Sequence, residues 1–211
     1  MSEREKHRLT ERHRAAIFVS GSGTNMENIA RRIRAGELAM EIALVVCDRP
    51  NAFALKRAKR LRLETFVAVP KTFSSKEEYE RKIDEVLRAK HIHLILLAGY
   101  MRILGSEFVR AWPWQILNIH PSLLPQFPGT HAIRDAFEAK EKQTGVTVHF
   151  VDEGVDTGPI LLQRAVPIRS TDTLERLEER VHAAEYQVYP EAIRLVLSGK
   201  VKVTDRRVEM L

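Results

Sequence analysis

Ala15-Ala16-Ile17-Phe18-Val19-Ser20-Gly21-Ser22-Gly23-Thr24-Asn25 decides the fold. Five apolar residues stop at a pair of glycines. From Asn25 to Arg34 the apolar residues then fall at Met26, Ile29, Ala30 and Ile33, the spacing of one helix face. The stretch therefore reads as strand, glycine turn, helix. The pattern recurs along the chain: Ile42 to Cys47 predicts a strand, Ala52 to Leu61 a helix and Thr65 to Val69 a strand. Ser74 and Ser75, followed by Glu77 and Glu78, mark the start of a charged periodic helix running to Lys90. Ile92 to Ala98 is the next strand, and its unbroken run Leu94-Ile95-Leu96-Leu97-Ala98 suits a central parallel strand covered on both faces.

Strands alternating with helices imply an α/β fold, a Rossmann-like open and mostly parallel sheet with helices on both faces. The second half changes character. Gln115 to Ile119 is a short strand entering a proline-rich loop, and Val146 to Val151 and Pro159 to Ile168 suit extended segments that would give the sheet a mixed C-terminal edge. Asp172 to Leu197 carries a long amphipathic pattern, expected to break at Pro190 and to end at Gly199 as a capped helix. Neither an internal repeat nor a linker divides the sequence, so residues 14–211 are expected to form a single domain after a charged leader, residues 1–13.

Composition narrows the function classes. The 211 residues are 44% hydrophobic, enough to fill one substantial core. No apolar run approaches the length of a membrane span, and Met1 to Arg14 lacks the apolar stretch of a signal peptide, so the chain reads as cytoplasmic and free of membrane. Its single cysteine, Cys47, lies in an apolar strand and reads as a packing residue. The net charge of +6 would suit a polyanion. Yet the basic residues lie in the leader, among acids, or on predicted helices (Arg31, Arg32, Arg34; Lys56, Arg57, Lys59, Arg60), and no nucleic-acid-binding motif accompanies them. A phosphorylated small molecule fits better than nucleic acid.

In such sheets ligands gather beyond the carboxyl ends of the strands, and three polar clusters fall there. Ser20 to Asn25 is either a turn in which Thr24 or Asn25 caps the helix, or a phosphate site built from free amides at a helix N-terminus; it matches neither the nucleotide P-loop nor the dinucleotide fingerprint. Asn118-Ile119-His120-Pro121-Ser122-Leu123-Leu124-Pro125 lies at the end of the fifth strand. There Asn118 and His120, two residues apart, present an amide and an imidazole on one face, a pair suited to a developing oxyanion and to proton transfer. Asp152-Glu153-Gly154-Val155-Asp156-Thr157-Gly158-Pro159 is either a solvated acidic turn or a loop that carries the Asp156 carboxylate to another segment. The remaining histidines show no zinc-ligand spacing with it, and no metal is expected.

These clusters, with Leu97-Ala98-Gly99-Tyr100-Met101-Arg102-Ile103-Leu104 and Gly145 to Leu161, resemble the folate-dependent formyltransferases, specifically their glycinamide ribonucleotide branch, over Ala15 to Val203. The resemblance implies a catalytic trio of Asn118, His120 and Asp156. It implies ribonucleotide binding by Gly23, Thr24, Asn25 and Glu185. For the folate it implies Met101, Arg102, Ile103, Leu104, Asn118, Asp152 and Asp156, with Lys76, where many relatives have arginine, at the folate tail; Gln126 departs from the lysine common after the Leu-Leu-Pro run. The implied reaction is direct formyl transfer from 10-formyltetrahydrofolate, a cosubstrate and not a tightly bound cofactor, to 5-phosphoribosylglycinamide, by a monomer or homodimer. In it Asp156 would orient His120. A relative acting on tRNA would need a further C-terminal domain, and a formyltetrahydrofolate hydrolase a regulatory N-terminal one.

Overall fold

The structure, a computed structural model, describes residues 13–211. Of the expected leader only His13 lies inside that range, and it already belongs to the first strand. Arg14, the next residue, is likewise in the strand: its Nε donates to the Lys90 carbonyl at 2.8 Å and its guanidinium pairs with Glu41.

The first half alternates strictly: β1 (His13–Val19), α1 (Thr24–Arg34), β2 (Met40–Cys47), α2 (Phe53–Arg60), β3 (Thr65–Val67), α3 (Lys76–Ala89) and β4 (Leu94–Leu97). Next come α4 (Ser106–Ala111), β5 (Ile116–His120), α5 (Ala132–Glu138), β6 (Gln143–Phe150), β7 (Ile160–Pro167), α6 (Leu174–Leu197) and a hairpin of β8 (Val201–Thr204) and β9 (Arg207–Met210). The seven-stranded sheet has the order β3-β2-β1-β4-β5-β6-β7. Its first five strands are parallel, and β6 and β7 run antiparallel at the mixed edge expected from the sequence.

Strand alternation sorts the apolar residues into two cores. Ala15, Ile17 and Val19 of β1 pack with Met26 and Ile29 of α1 and with Leu177, Val181 and Val188 of α6. Ala16 and Phe18 face the other side, against Tyr79, Ile83 and Leu87 of α3 and Phe108 of α4. The central strands are therefore covered on both faces, which is why β4 has no polar position. Ser75 caps α3 by accepting from the Glu78 amide at 3.1 Å, and the Glu78 carboxylate reaches back to the Ser74 amide at 2.7 Å.

The expected break at Pro190 does not occur: α6 is continuous from Leu174 to Leu197. Proline cannot donate to the carbonyl four residues back, here that of Tyr186. The Asn28 side chain of α1 supplies the missing donor, with Nδ2 at 2.9 Å from the Tyr186 carbonyl oxygen. Asn28→Ala should therefore strand that carbonyl and cost about 1–3 kcal/mol in denaturant unfolding; a change within the noise of the measurement would show that the bond is dispensable. The helix ends as expected, with Gly199 at φ +69 just beyond its Ser198 cap.

The order of strand addition reverses between the parallel strands β1 and β4, and this places the loops that follow them side by side. The Ser20 amide donates to the Gly99 carbonyl at 3.0 Å and the Met101 amide to Ser20 Oγ at 2.8 Å. Below them, the buried Tyr189 hydroxyl of α6 reaches the carbonyls of Leu97 (3.0 Å), the last residue of β4, and Leu117 (3.1 Å) of β5, tying the two strands together.

Candidate active site

Because Leu117 and Ile119 of β5 point into the core under α6, Asn118 and His120 must share the opposite face. The loop after β6 then brings Asp156 to both. Asp156 Oδ1 lies 3.3 Å from Asn118 Nδ2, and Oδ2 lies 3.4 Å from His120 Nδ1 and accepts from the Gly129 amide at 2.9 Å. The expected trio thus converges, in the solvated-turn alternative's place. Burial alone would push the Asp156 carboxyl up. The Gly129 N–H and the His120 ring oppose it and hold the carboxyl below the ordinary carboxylate range.

His149 belongs to the constellation although the sequence reading passed over it. Antiparallel pairing sets it opposite Asn118. Its Nδ1 faces the Phe150 carbonyl oxygen at 2.9 Å and so carries the proton, which leaves Nε2 to accept from Asn118 Nδ2 at 3.1 Å. That bond fixes which way the Asn118 amide points. The signal was present: Val146, Val148 and Phe150 are apolar in alternation, so Thr147 and His149 had to face the side of Asn118 and His120.

His120 Nε2 is 2.8 Å from the Phe127 carbonyl, so both ring nitrogens face acceptors. The intervening loop is pinned by Thr147, whose Oγ1 donates to the Ser122 carbonyl at 2.7 Å and accepts from the Leu124 amide at 3.1 Å.

The loop bearing Asp156 is tightly determined. Asp156 itself sits at φ +54, outside the usual range for a side-chain-bearing residue. The buried Asp152 acts as its hub, accepting from the Gly154 amide (3.1 Å) and Thr157 Oγ1 (2.8 Å), while its other oxygen pairs with Arg206 in the turn between β8 and β9. Burial would raise the Asp152 carboxyl, but these donors keep it low. Asp152 therefore shapes the loop, with its oxygens already engaged.

A cavity of about 330 Å³ opens beside the trio, lined by Met101, Arg102, Ile103 and Leu104 on one side and by Asp152, Val155 and Asp156 on the other. Met101 and Ile103 are exposed, 50% and 64%, and form an apolar lip. The lip is anchored where the Gly105 amide donates to the buried Glu80 carboxylate at 2.8 Å and where the hydroxyls of Tyr79 and Tyr100 meet at 2.6 Å. Lys76 is not at this cavity. It lines a neighbouring groove between α3 and α4, with its Nζ 3.8 Å from Glu80.

The glycine loop differs from the capping alternative. Gly23, at φ +74, is itself the N-cap of α1 and no side chain caps the helix. A Cβ there would lie 2.6 Å from Ala54 Cβ, so the position excludes every other residue on two grounds. Asn25 instead turns to α6, its Nδ2 donating to Glu185 at 2.9 Å, and its buried Oδ1 has no partner among the described residues. Glu185 is held in turn by His182 Nδ1 at 2.9 Å. The hydrogen bond and the Glu185 charge raise the His182 pKa against the opposing effect of burial.

Two polar clusters thus flank one switch point, a loop whose Ser22 and Gly23 amides have no backbone acceptor among the described residues and an amide-imidazole-carboxylate trio beside an apolar-lipped cavity. The formyl transferase family model matches residues 13–193. The chain belongs to this family. It is 45% identical over 182 residues to phosphoribosylglycinamide formyltransferase of Bacillus subtilis, covering 86% of this chain and 93% of that protein. It is 39% identical over 206 residues to the trifunctional purine biosynthetic protein adenosine-3 of Drosophila melanogaster, spanning 97% of this chain but only 15% of that much longer one. A crystal structure of glycinamide ribonucleotide transformylase 1 from Symbiobacterium toebii superposes with a TM-score of 0.92 at 44% identity, covering 95% of this chain and 94% of the other. The formyl transferase match ends within α6, so the β8–β9 hairpin that clamps Asp152 through Arg206 lies beyond it. Among the described residues no helix of this formyl transferase is long and apolar enough to cross a membrane.

Proposed function

We propose that this formyl transferase moves the formyl group of 10-formyltetrahydrofolate to the amine of 5-phosphoribosylglycinamide in purine biosynthesis. The observation that carries the reading is the convergence of Asn118, His120 and Asp156 at the wall of a cavity with an apolar lip, next to a loop built for phosphate. The folate's pterin ring takes the cavity between Met101–Leu104 and the loop Asp152 to Asp156. The ribonucleotide phosphate takes the amides of Gly23, Thr24 and Asn25, with Glu185 meeting the ribosyl part. Lys76, in its neighbouring groove, is placed to meet only the folate's extended tail. The folate is a cosubstrate, released after each turnover, and both substrates are small and water-soluble, so we place the reaction in the cytoplasm.

In the transfer the amine's lone pair forms a C–N bond to the formyl carbon, and the carbonyl pair moves onto oxygen to give a tetrahedral oxyanion. Collapse of this intermediate breaks the bond to the folate nitrogen, which gains a proton while the attacking amine loses one. Asn118 supplies an N–H to the oxyanion; its longer 3.3 Å contact to Asp156 is the one an oxyanion replaces, whereas the 3.1 Å bond to His149 keeps the amide oriented. His120 joins as donor by exchanging its Phe127 carbonyl for the oxyanion, with Asp156 holding the ring through Nδ1.

The test is formyl release from 10-formyltetrahydrofolate followed with and without the ribonucleotide. Release should require the ribonucleotide amine. Equal turnover without it would identify a hydrolase, and no turnover with salt-sensitive binding of tRNA would identify a nucleic-acid module.

A further inference from the structure

The glycine loop is gripped from behind by α2. The Ala54 amide donates to the Gly21 carbonyl at 3.0 Å, and Arg57 Nε donates to the Ser22 carbonyl at 2.9 Å. In a trans peptide the carbonyl and the next N–H point in opposite directions. Pulling the Gly21 and Ser22 carbonyls toward α2 therefore turns the amides of Ser22 and Gly23 away from it, and neither amide has a backbone acceptor among the described residues. Arg57 is itself braced. Its guanidinium pairs with Glu27, a side chain only 7% exposed at the first turn of α1, and Glu27 is also met by Arg31 and Arg60 at 2.7 Å each. The Arg57 plane lies 5.0 Å from the Phe53 ring centroid, which further limits its freedom.

We propose that Arg57, braced by Glu27, is a positioning residue for the ribonucleotide phosphate: it holds the Ser22–Gly23 peptide plane of the glycine loop, beside the Gly21–Ser22 plane held by the Ala54 amide, so that both amides face the phosphate. It does not touch the substrate in this role. The inference rests on the reading of the glycine loop as the phosphate site. Arg57 acts through two fixed donor directions, one to Ser22 and one to Glu27, and a lysine, a single point donor, cannot reproduce both.

The test compares Arg57→Met, Arg57→Lys and Gly21→Val by steady-state kinetics in each substrate, together with competitive inhibition by inorganic phosphate. A Cβ at Gly21 meets no protein atom within 4 Å, so that variant crowds the loop's open side directly. Loss of a charge-assisted bond corresponds to roughly a ten- to hundredfold change. Both Arg57 variants should raise the ribonucleotide KM and the phosphate inhibition constant by that factor, with the folate KM and kcat at saturation nearly unchanged. Full recovery in Arg57→Lys would show that charge alone suffices and would overturn the positioning role. Loss of thermal stability with equal change in both KM values would reduce Arg57 to a folding residue and also overturn it. If Gly21→Val raises the ribonucleotide KM while the Arg57 variants do not, the positioning role fails and the phosphate site stands. If Gly21→Val leaves that KM unchanged, the phosphate site itself fails.

Discussion

Asn118→Ala and His120→Ala should each lower kcat by roughly a hundred- to a thousandfold, the usual cost of one oxyanion donor, while both substrates still bind. Asp156→Asn should fall in the same range, because one carboxylate contacts both donors. Shared contacts also set how the losses combine. The double variant His120→Ala with Asp156→Asn should retain far more activity than the product of the two single losses predicts, since Asp156 acts largely through the ring that His120→Ala has removed. Full multiplication in kcat would show that Asp156 works independently, and the pairing would have to be given up. The pH dependence has a definite sign. The Asp156 carboxyl is held below its ordinary value, so its native contacts are complete above the unfolded carboxylate range, about pH 4, and are lost as pH falls through the lower folded value. Rate loss between pH 7 and 5 should therefore be as large in Asp156→Glu as in the parent protein, and an acid limb that disappeared in that variant would contradict the assignment.

Gly158→Ala should be nearly as damaging without touching a catalytic group. A Cβ at Gly158 would lie 1.8 Å from the Phe150 carbonyl oxygen and 3.2 Å from the Asp152 amide nitrogen, both backbone atoms that cannot swing aside. The loop from Asp152 to Gly158 must shift, and Asp156 shifts with it. Overpacking of this kind costs about 1–3 kcal/mol in stability, and a displacement near 1 Å at a reacting group costs about a hundredfold in rate. Both should appear together, as a lower Tm and a kcat reduced toward that of Asp156→Asn. Unchanged kcat with a lower Tm would mean that the loop tolerates the shift and that the position of Asp156 is less critical than its distances suggest.

Much of this architecture is legible in the sequence because it is written in local signals. β1, the glycine loop and α1 follow from five apolar residues, two glycines and a 3.6-residue period, and Asn118 and His120 share a face by simple alternation. The trio needed more, since only the loop fold brings Asp156 back to β5, and that partner came from resemblance and not from spacing. His149 was missed because its role depends on the register between β5 and β6, a non-local quantity. The short helices α4 and α5 escaped because six or seven residues hold too little of a helical period to stand out. Gly23 in place of Thr24 or Asn25 at the head of α1 likewise depends on what packs alongside, here Ala54. Pro190 is the same lesson in reverse, a local breaker overridden by a side chain from elsewhere.

That last arrangement constrains the paths by which descendants of this chain can drift. Asn28 is needed only because Pro190 withholds an N–H from the Tyr186 carbonyl. A lineage that first exchanges Pro190 for an ordinary helix former gives that carbonyl a donor within its own helix, after which position 28 is released to vary. A lineage that loses Asn28 first must pass through a protein with a stranded carbonyl. Two substitutions with the same end point are thus unequal in order, and one hydrogen bond between distant helices acts as a ratchet on the history of both.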